Sequence, residues 1–426
     1  MVIGHGDTTS YLSDAEVRRI VADGFAREAI DGKRLLVLIP DATRTMPMPL
    51  MFEALVDVVG PRAAALDFLV ALGTHQPLSD EQLGRLLGRP VDDGRAGRSR
   101  VFNHRWDLEG TFVALGTIPA ADIAELSGGL LEVDVPVSLN RLLLDYDHLV
   151  ICGPVFPHEV VGFSGGTKYL VPGVAGPDII NFTHWLGAVI TSSAVIGAGY
   201  TPVRAVIDRA ASMVDRPVTC LSLVVTHDGT AGLFVGPPRE SWEAASALSS
   251  RTHIVRVERP LTRVLSVMPA MYDDLWTAAK GMYKMEPAMA DGGEIVIFAP
   301  HITEVSYTHG RIIDDVGYHC RDYFLAQWDR FGRYPGGVLA HSTHVKGLGT
   351  YDAAAGVETP RITVTLATGI PEARCRRINL GYMDPDEIRL EEWTGREADG
   401  IIVVPRAGEM LYRLHPAPAT GASHAR

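Results

Sequence analysis

Three side chains that can do chemistry, His158, Lys168 and His184, lie in a stretch that is rich in glycine. The turn between His158 and Lys168 has the sequence Gly-Phe-Ser-Gly-Gly at 162–166, and an apolar run at 148–152 predicts a buried strand just before it. Glycine at this density lets a backbone approach a ligand closely or adopt a positive φ. The stretch is therefore the first candidate for a reaction site.

The residues alone leave three interpretations of Lys168 open. The ordinary one is a solvated turn with a surface lysine. A phosphate-binding loop is disfavoured, because Thr167 precedes the lysine and Tyr169 follows it, whereas a P-loop needs glycine before and Ser or Thr after. The third is a lysine activated for covalent chemistry.

Asp41, Arg44 and His75 each follow a predicted strand, over 35–39 or 66–72. In a parallel sheet ligands bind beyond the carboxyl ends of the strands, so we expect these side chains to converge there. Histidine, with a pKa of roughly 6.5, suits general acid–base catalysis, and arginine can hold a carboxylate through two hydrogen bonds. The alternatives are a loop histidine bonded to backbone and a surface arginine paired with Asp41.

The arrangement resembles the nickel-pincer lactate racemase family. His158 precedes Lys168 by 10 positions, and Lys168 precedes His184 by 16 positions, as in that family. The other matching elements are Pro157, the turn 162–166, Pro172-Gly173, Asp41-Ala42-Thr43-Arg44 and Gly73-Thr74-His75. The resemblance covers most of the chain, and its specific motifs are densest before about residue 190 and around Lys280.

The resemblance implies an isomerase that racemises or epimerises 2-hydroxy acids through hydride transfer. Direct deprotonation at C2 is difficult, because a carboxylate stabilises the carbanion poorly. A base takes the hydroxyl proton while the cofactor takes the hydride, which leaves a planar 2-keto acid that can receive the hydride on its other face. His75 and His158 are the implied catalytic pair, since each enantiomer needs its own base.

The implied cofactor is a nickel-pincer nucleotide, pyridinium-3,5-bisthiocarboxylic acid mononucleotide carrying nickel. Lys168 is the implied tether and His184 the implied nickel ligand, and a single histidine suffices because two sulfurs and a ring carbon of the cofactor complete the coordination. Asp41, Gly165 and Gly166 are expected to bind the cofactor. Cofactor-biosynthesis proteins are the expected partners, so a recombinant preparation from a host without them can lack the cofactor.

The implied substrate contacts are Arg44 together with Trp276, Thr277 and Lys280 in the second half of the chain. The lactate-racemising pattern has tyrosine where Trp276 stands and glutamine where Thr277 stands. The shorter Thr277 frees space beside Lys280, so we expect a substrate larger than lactate, such as a sugar acid epimerised at C2; a small aliphatic pocket filled by Trp276 is the alternative. Roles are unassigned for His104, His301, His309, His341 and His344.

Other functions stay open at this point. A nicotinamide- or metal-dependent 2-hydroxy-acid dehydrogenase fits an α/β pattern, but no GxGxxG motif follows the first predicted strand. A pyridoxal-phosphate racemase that uses Lys168 is a third enzyme class that stays open. A catalytically inactive sugar-acid-binding protein is disfavoured, because both histidines of the pair are present.

Alternating strands and helices predict an α/β fold of two α/β domains with mainly parallel sheets and the active-site cleft between them. Residues 1–260 are the expected cofactor domain, 261–414 the domain that closes over the substrate, and 415–426 a disordered tail. We also expect a helix over 272–285 that carries Lys280, and a short strand over 338–340.

Composition narrows the class of protein. The 426 residues suit two domains, and a net charge of −12 argues against nucleic-acid binding. Four cysteines far apart, without a CxxC pair, predict a reduced, cytoplasmic protein without disulfides. The N-terminus lacks the pattern of a signal peptide, and no apolar stretch predicts a membrane span.

Overall fold

The computed structural model describes residues 1–415, which form two compact units. Unit 1 comprises 1–253, 307–312 and 328–341, and unit 2 comprises 254–306, 313–327 and the described residues from 342 onward. The segments 307–312 and 328–341, which the sequence-based division assigned to the second domain, belong to unit 1. Of the predicted disordered tail, 415–426, the residues from 416 onward lie outside the described residues.

The main sheet of unit 1 has the strand order β1-β12-β11-β8-β2-β3-β5-β4. Its strands are β1 Ile3–Gly6, β2 Arg34–Ile39, β3 Ala65–Val70, β4 Arg95–Ala96, β5 Ser99–Asn103, β8 His148–Pro154, β11 Val218–Thr226 and β12 Gly229–Gly236. Strands β11, β8, β2, β3 and β5 are parallel neighbours, whereas β1, β12 and β4 pair antiparallel. Two smaller hairpins accompany it among the described residues, β6 Phe112–Ile118 with β7 Val135–Asn140, and β9 Pro157–His158 with β10 Gly162–Phe163.

Helices cover both faces of this sheet. They are α1 Asp14–Phe25, α2 Met48–Val58, α3 Asp80–Leu87, α4 Ala120–Ser127, α5 Pro177–Ile190, α6 Ser192–Val195, α7 Pro202–Ala211 and α8 Pro238–Thr252. Side chains alternate along β2: Leu35 and Val37 join the core under α1–α3, whereas Leu36 packs into the core under α4, α5 and α7. The predicted Ser79–Gln82 capping box is present at the start of α3.

The central sheet of unit 2 is parallel, in the order β19-β18-β15-β14-β20. The strands of unit 2 are β13 Ile254–Val257, β14 Leu261–Val267, β15 Met289–Ala299, β16 Gly349–Asp352, β17 Val357–Pro360, β18 Thr363–Thr368, β19 Gly381–Tyr382, β20 Ile401–Val404 and β21 Leu411–Leu414. The later helices of the chain are α9 Leu275–Ala278, α10 Lys280–Tyr283, α11 Gly310–Val316, α12 Arg321–Ala326, α13 Trp328–Phe331, α14 Gly336–Lys346 and α15 Glu372–Arg377. The predicted α/β class with mainly parallel sheets is confirmed.

Two predicted elements are wrong in detail. The helix expected over 272–285 is two short helices, α9 and α10. Asp274 is the N-cap of α9, so this helix begins only at Leu275, and a second helix begins at Lys280. The strand expected over 338–340 is part of helix α14. Three apolar residues are too few to distinguish the periodicity of a strand from that of a helix. The carbonyl of Pro335 accepts hydrogen bonds from the N–H groups of Val338 and Leu339, which begins a helical turn.

None of the helices within residues 1–415 combines the length and the apolar character that crossing a bilayer requires.

Candidate active site

The carboxyl ends of parallel strands in unit 1 carry the predicted acid–base residues. Asp41 follows β2, His75 follows β3, and His158 follows β8. Because β8, β2 and β3 are adjacent and parallel, their following loops emerge at the same edge of the sheet. The sheet therefore brings together residues that are far apart in sequence, at the place where such sheets bind ligands.

Asp41 and His75 form a partly buried hydrogen-bonded pair. Oδ2 of Asp41 lies 2.5 Å from Nδ1 of His75, and Oδ1 accepts hydrogen bonds from the N–H and hydroxyl of Thr43. Burial would raise the pKa of the Asp41 carboxyl, but His75, Arg44 and Thr43 hold it well below its usual range. An ionised carboxylate only accepts, so Nδ1 of His75 carries the proton and Nε2 is left as the basic nitrogen.

Arg44 lies beside this pair. One of its guanidinium nitrogens donates to the hydroxyl of Thr43 at 2.8 Å, and the guanidinium lies 5.7 Å from the ring centre of Phe156. The sequence-based alternative was an arginine paired with Asp41. The carboxylate of Asp41 instead takes His75 as its hydrogen-bonded partner, while Arg44 contributes its charge.

His158 has two neighbours at Nδ1. The backbone N–H of Val160 donates to this nitrogen at 3.2 Å, and Oε2 of Glu159 lies 3.3 Å from it. Neutral His158 that accepts from Val160 must carry its proton on Nε2, opposite to the tautomer of His75. The carboxylate of Glu159 at the same nitrogen favours uptake of a second proton there, and the doubly protonated ring is the form of His158 that can act as an acid.

The glycine turn before Lys168 is clamped by Arg204 of α7 and Trp242 of α8. Arg204 is 1% exposed, and its guanidinium donates to the carbonyls of Phe163 and Gly165. The indole of Trp242 donates to the carbonyl of Ser164 at 2.9 Å, and Arg204 lies 4.4 Å above the ring of Trp242. Burial lowers the pKa of Arg204 to about 10, so the guanidinium still carries its charge at neutral pH.

Gly165 and Gly166 have φ angles of +78° and +59°. A side chain at Gly165 would meet Val155 at 2.5 Å, and one at Gly166 would meet Trp242 at 3.2 Å. Both positions need glycine for conformation and for space, and together they turn the chain so that the short 3-10 helix Gly166–Tyr169 presents Lys168.

Lys168 is half-buried among charged groups of unit 1. Burial lowers the pKa of its ammonium to about 7, and the charges of Arg44 and Arg204 act in the same direction, while those of Glu159 and Asp41 oppose it. A lysine in this state is substantially neutral near pH 7, which makes its nitrogen a nucleophile. This burial disfavours the solvated surface lysine.

His184 lies on α5, and its Nδ1 is 2.7 Å from the carbonyl oxygen of Ile180. A carbonyl only accepts, so Nδ1 carries the proton and the lone pair of the ring is on Nε2. Burial lowers the pKa of His184, which favours the neutral ring. A metal-ligating histidine commonly donates its other N–H to a backbone carbonyl in this way.

Groups of three or more His, Cys, Asp or Glu side chains suited to a metal ion are absent among residues 1–415. The donor set around His184 therefore fits a metal only if other ligands come from a bound cofactor. Lys168 lies near enough to His184 to influence the pKa of that ring, which fits a tether for such a group.

Residues 14–197 match the family model of the lactate racemase N-terminal domain. A lactate racemase from Thermoanaerobacterium thermosaccharolyticum is 24% identical over 279 residues, which cover 64% of this chain and 61% of the relative. A lactate racemase from Lactiplantibacillus plantarum is 28% identical over 162 residues, which cover 37% of this chain and 34% of the relative. The chain is a homologue of the lactate racemases. It spans less than two thirds of the length of either relative.

Solved structures share the fold of this lactate racemase homologue. A crystal structure of a protein from Thermotoga maritima matches with a TM-score of 0.88 and 30% identity. The match covers 96% of this chain and 100% of that chain. The lactate racemase apoprotein from T. thermosaccharolyticum has a TM-score of 0.72 at 19% identity, covering 95% of this chain and 94% of that one. At the lower identity the likeness concerns the fold.

Sequence reasoning missed Glu159 and Arg204 in this lactate racemase homologue and left His309 unassigned. Nε2 of His309 lies 3.5 Å from the hydroxyl of Thr74, and the neighbouring Thr308 accepts from Gln76, so the segment 307–312 packs against the loop of His75. Burial lowers the pKa of His309 to about 4, helped by His75 and His184. No spacing rule links residue 309 to residue 75.

The remaining predicted substrate residues of the homologue lie in unit 2. Lys280 donates to the carbonyl of Thr277 at 3.1 Å, and its ammonium lies 4.7 Å from the ring centre of Tyr272. Thr277 donates its hydroxyl to Asp274, the residue that caps α9, and the N–H of Trp276 donates to the carbonyl of Val305. Their roles toward a substrate stay predictions.

His104, also unassigned from the sequence, is a core residue of unit 1. Its ring is fully buried, with Nδ1 at 3.0 Å from the side-chain amide of Asn140, and burial lowers its pKa to about 4.

Proposed function

We propose that this lactate racemase homologue is an isomerase that racemises or epimerises 2-hydroxy acids. The observation that carries the proposal is the pair of imidazoles at one edge of the unit 1 sheet, His75 and His158, each with a carboxylate within 3.3 Å of Nδ1. A reaction that inverts a carbon centre needs one group to remove a proton and another to supply one. The curated relatives that carry the name lactate racemase support the same class of reaction.

The residues divide the work as follows. Nε2 of His75 accepts the proton of the C2 hydroxyl, and the Asp41 carboxylate stabilises the imidazolium that results. His158 is the acid in its doubly protonated form: it donates its Nε2 proton when the alcohol of the other hand forms and becomes a neutral ring. Arg44, whose charge is already present beside the pair, suits the substrate carboxylate. In the opposite direction the two histidines exchange roles.

The cofactor that we propose is the nickel-pincer nucleotide, with Lys168 as its tether and His184 as the nickel ligand. When bound, this group would supply a hydride acceptor for C2. The chain supplies a lysine with a lowered pKa and a neutral imidazole with its lone pair on Nε2. Gly165 and Gly166 keep that segment free of side chains. Cofactor-biosynthesis proteins are then required partners.

We propose a substrate larger than lactate, such as a sugar acid epimerised at C2. The support is that Thr277 and Trp276 differ from the residues that the lactate-racemising pattern has there, while His75, His158, Lys168 and His184 match it. A site built to bind hydroxyl groups penalises a substrate that leaves them unmatched, by as much as about 10⁴-fold.

The test uses protein coexpressed with the cofactor-biosynthesis proteins. Single enantiomers of lactate, a longer aliphatic 2-hydroxy acid and an aldonic acid are incubated with it, and the products are separated on a chiral column. We expect inversion at C2, with the largest kcat/KM for the aldonic acid. A best result with lactate would overturn the substrate proposal and leave the reaction class standing.

Deuterium at C2 distinguishes the mechanisms. Hydride transfer returns the same deuterium, so the inverted product should keep its label in ordinary water. Loss of the label to solvent would contradict hydride transfer, and accumulation of keto acid with reduction of a nicotinamide would favour the dehydrogenase.

A further inference from the structure

The two proposed acid–base histidines each have a carboxylate near Nδ1. For His75 it is Asp41 at 2.5 Å, and for His158 it is Glu159 at 3.3 Å. Glu159 directly follows His158 in sequence, and its side chain is 17% exposed. Neither spacing nor residue type marks it out, because a glutamate beside a histidine is ordinary in a loop.

Nδ1 of His158 also faces a donor, the N–H of Val160 at 3.2 Å. The donor is satisfied only when Nδ1 is unprotonated, and the carboxylate is satisfied only when Nδ1 carries a proton. The two partners therefore favour different protonation states of one ring. Within residues 1–415, Nδ1 of His75 faces Asp41 without such a competing donor.

We infer that Glu159 is a positioning residue that allows His158 to change between acid and base. In the neutral form that accepts from Val160, His158 carries its proton on Nε2, and the acid form is the ring that has taken a second proton on Nδ1. Once His158 has taken a second proton, Nδ1–H points to Glu159, and loss of the Nε2 proton then leaves the basic tautomer. The role of Glu159 rests on the proposed function of His158. It concerns a residue other than the four that match the family pattern, which are His75, His158, Lys168 and His184.

Glu159 faces other charged groups as well. Its charge raises the pKa of Lys168 and that of His184, against the stronger effect of burial on both. Replacing Glu159 by glutamine therefore removes a charge that these groups share, and the measurement has to report on His158 itself.

Protein with ¹⁵N-labelled histidine, in the cofactor-free state, provides that measurement by NMR. The ring nitrogen signals of His158 are assigned by their loss in His158→Gln and followed from pH 8 to pH 5. An opposite charge within about 4–6 Å favours the charged ring, so Glu159→Gln should lower the midpoint for uptake of the second proton by about 1 pH unit. Glu53→Gln makes the same change at an exposed glutamate that pairs with Arg18, and should leave the midpoint unchanged.

An unchanged midpoint in a folded Glu159→Gln protein, or an equal displacement in Glu53→Gln, overturns the inference. If Glu159→Gln does not fold, the ¹³C signal of the Glu159 carboxyl in the unaltered protein decides. The carboxylate should stay ionised while His158 takes up its second proton, and protonation of Glu159 before His158 would refute the role.

The kinetics of the cofactor-loaded enzyme provide a second, independent measurement. Glu159→Gln should lower kcat/KM by about 10–100-fold and displace the acid limb of its pH profile to lower pH, with KM nearly unchanged. Failure of the unaltered loaded enzyme to invert any 2-hydroxy acid would refute the proposed function, whereas the NMR result concerns Glu159 alone. A pH profile of the variant that superimposes on that of the unaltered enzyme contradicts the inference.

Discussion

The carboxylate of Asp41 lies 2.5 Å from Nδ1 of His75, although the two residues are 34 positions apart in the sequence. Strands β2 and β3 are parallel neighbours, so the loops that follow them bring the two side chains together. The pair fixes the tautomer of His75 and leaves Nε2 as the base. A carboxylate–imidazole pair of this kind orients the ring and stabilises its protonated form.

Asp41→Asn should therefore impair catalysis while the fold is kept. An amide cannot stabilise the imidazolium as a carboxylate does, so kcat/KM should fall by about 10²–10⁴-fold. The fall should be equal in both directions, because the equilibrium constant fixes their ratio. Initial rates from each enantiomer measure this, with Asp57→Asn on the surface as the control. Near-normal turnover in Asp41→Asn would show that the pair is structural.

Lys168→Ala should lose the covalent cofactor. Intact-mass spectrometry of protein coexpressed with the cofactor-biosynthesis proteins should show the added mass on the unaltered chain and on Lys33→Ala, but not on Lys168→Ala. The physical reason is that Lys168 has the nucleophilic nitrogen, with a pKa of about 7. Added mass that persists on Lys168→Ala would remove this lysine as the tether.

The amine of Lys168 should also react at unusually low pH in the cofactor-free protein. Its pKa is lowered to about 7, so the neutral amine predominates above that pH, whereas an unperturbed lysine needs a pH near 10. Brief acetylation at a series of pH values, followed by peptide mass spectrometry, compares Lys168 with Lys33. A midpoint for Lys168 near pH 10 would contradict the role of burial.

His184→Ala should weaken nickel binding and leave the lysine adduct in place. The variant removes the neutral Nε2, whereas Lys168 and its glycine turn are unchanged. Nickel per protein after dialysis is measured by elemental analysis alongside intact mass, and His227→Ala, an exposed histidine, is the control. Equal nickel retention in His184→Ala would exclude this residue from the coordination.

Arg204→Met should destabilise unit 1 and reduce the yield of the lysine adduct. The variant leaves the carbonyls of Phe163 and Gly165 without their charged donor, at a cost of about 3 kcal/mol in the free energy of unfolding. Urea denaturation measures the loss. Arg209→Met, on the same helix at a more exposed site, should change it by less than about 0.5 kcal/mol. Equal stability of the two variants would show that the clamp is unimportant.

The amino-acid sequence by itself determined the fold class and predicted the candidate reactive residues. Apolar runs such as 35–39 and 148–152 become central strands because uninterrupted apolar segments are buried on both faces of a parallel sheet. The spacing of His158, Lys168 and His184 could be recognised in the sequence, because only a short turn and one helix separate these residues. Periodicity failed where runs were short, as at 338–340, which is helical.

The tertiary structure alone decided the partners and protonation states. Asp41 pairs with His75, Arg204 clamps the glycine turn, and the segment with His309 returns to unit 1. A pKa depends on burial and on charges brought near in space. The pKa of about 7 for Lys168 follows from its burial and from the charges of Arg44 and Arg204. Such contacts join residues tens or hundreds of positions apart, and no local pattern in a single sequence encodes them.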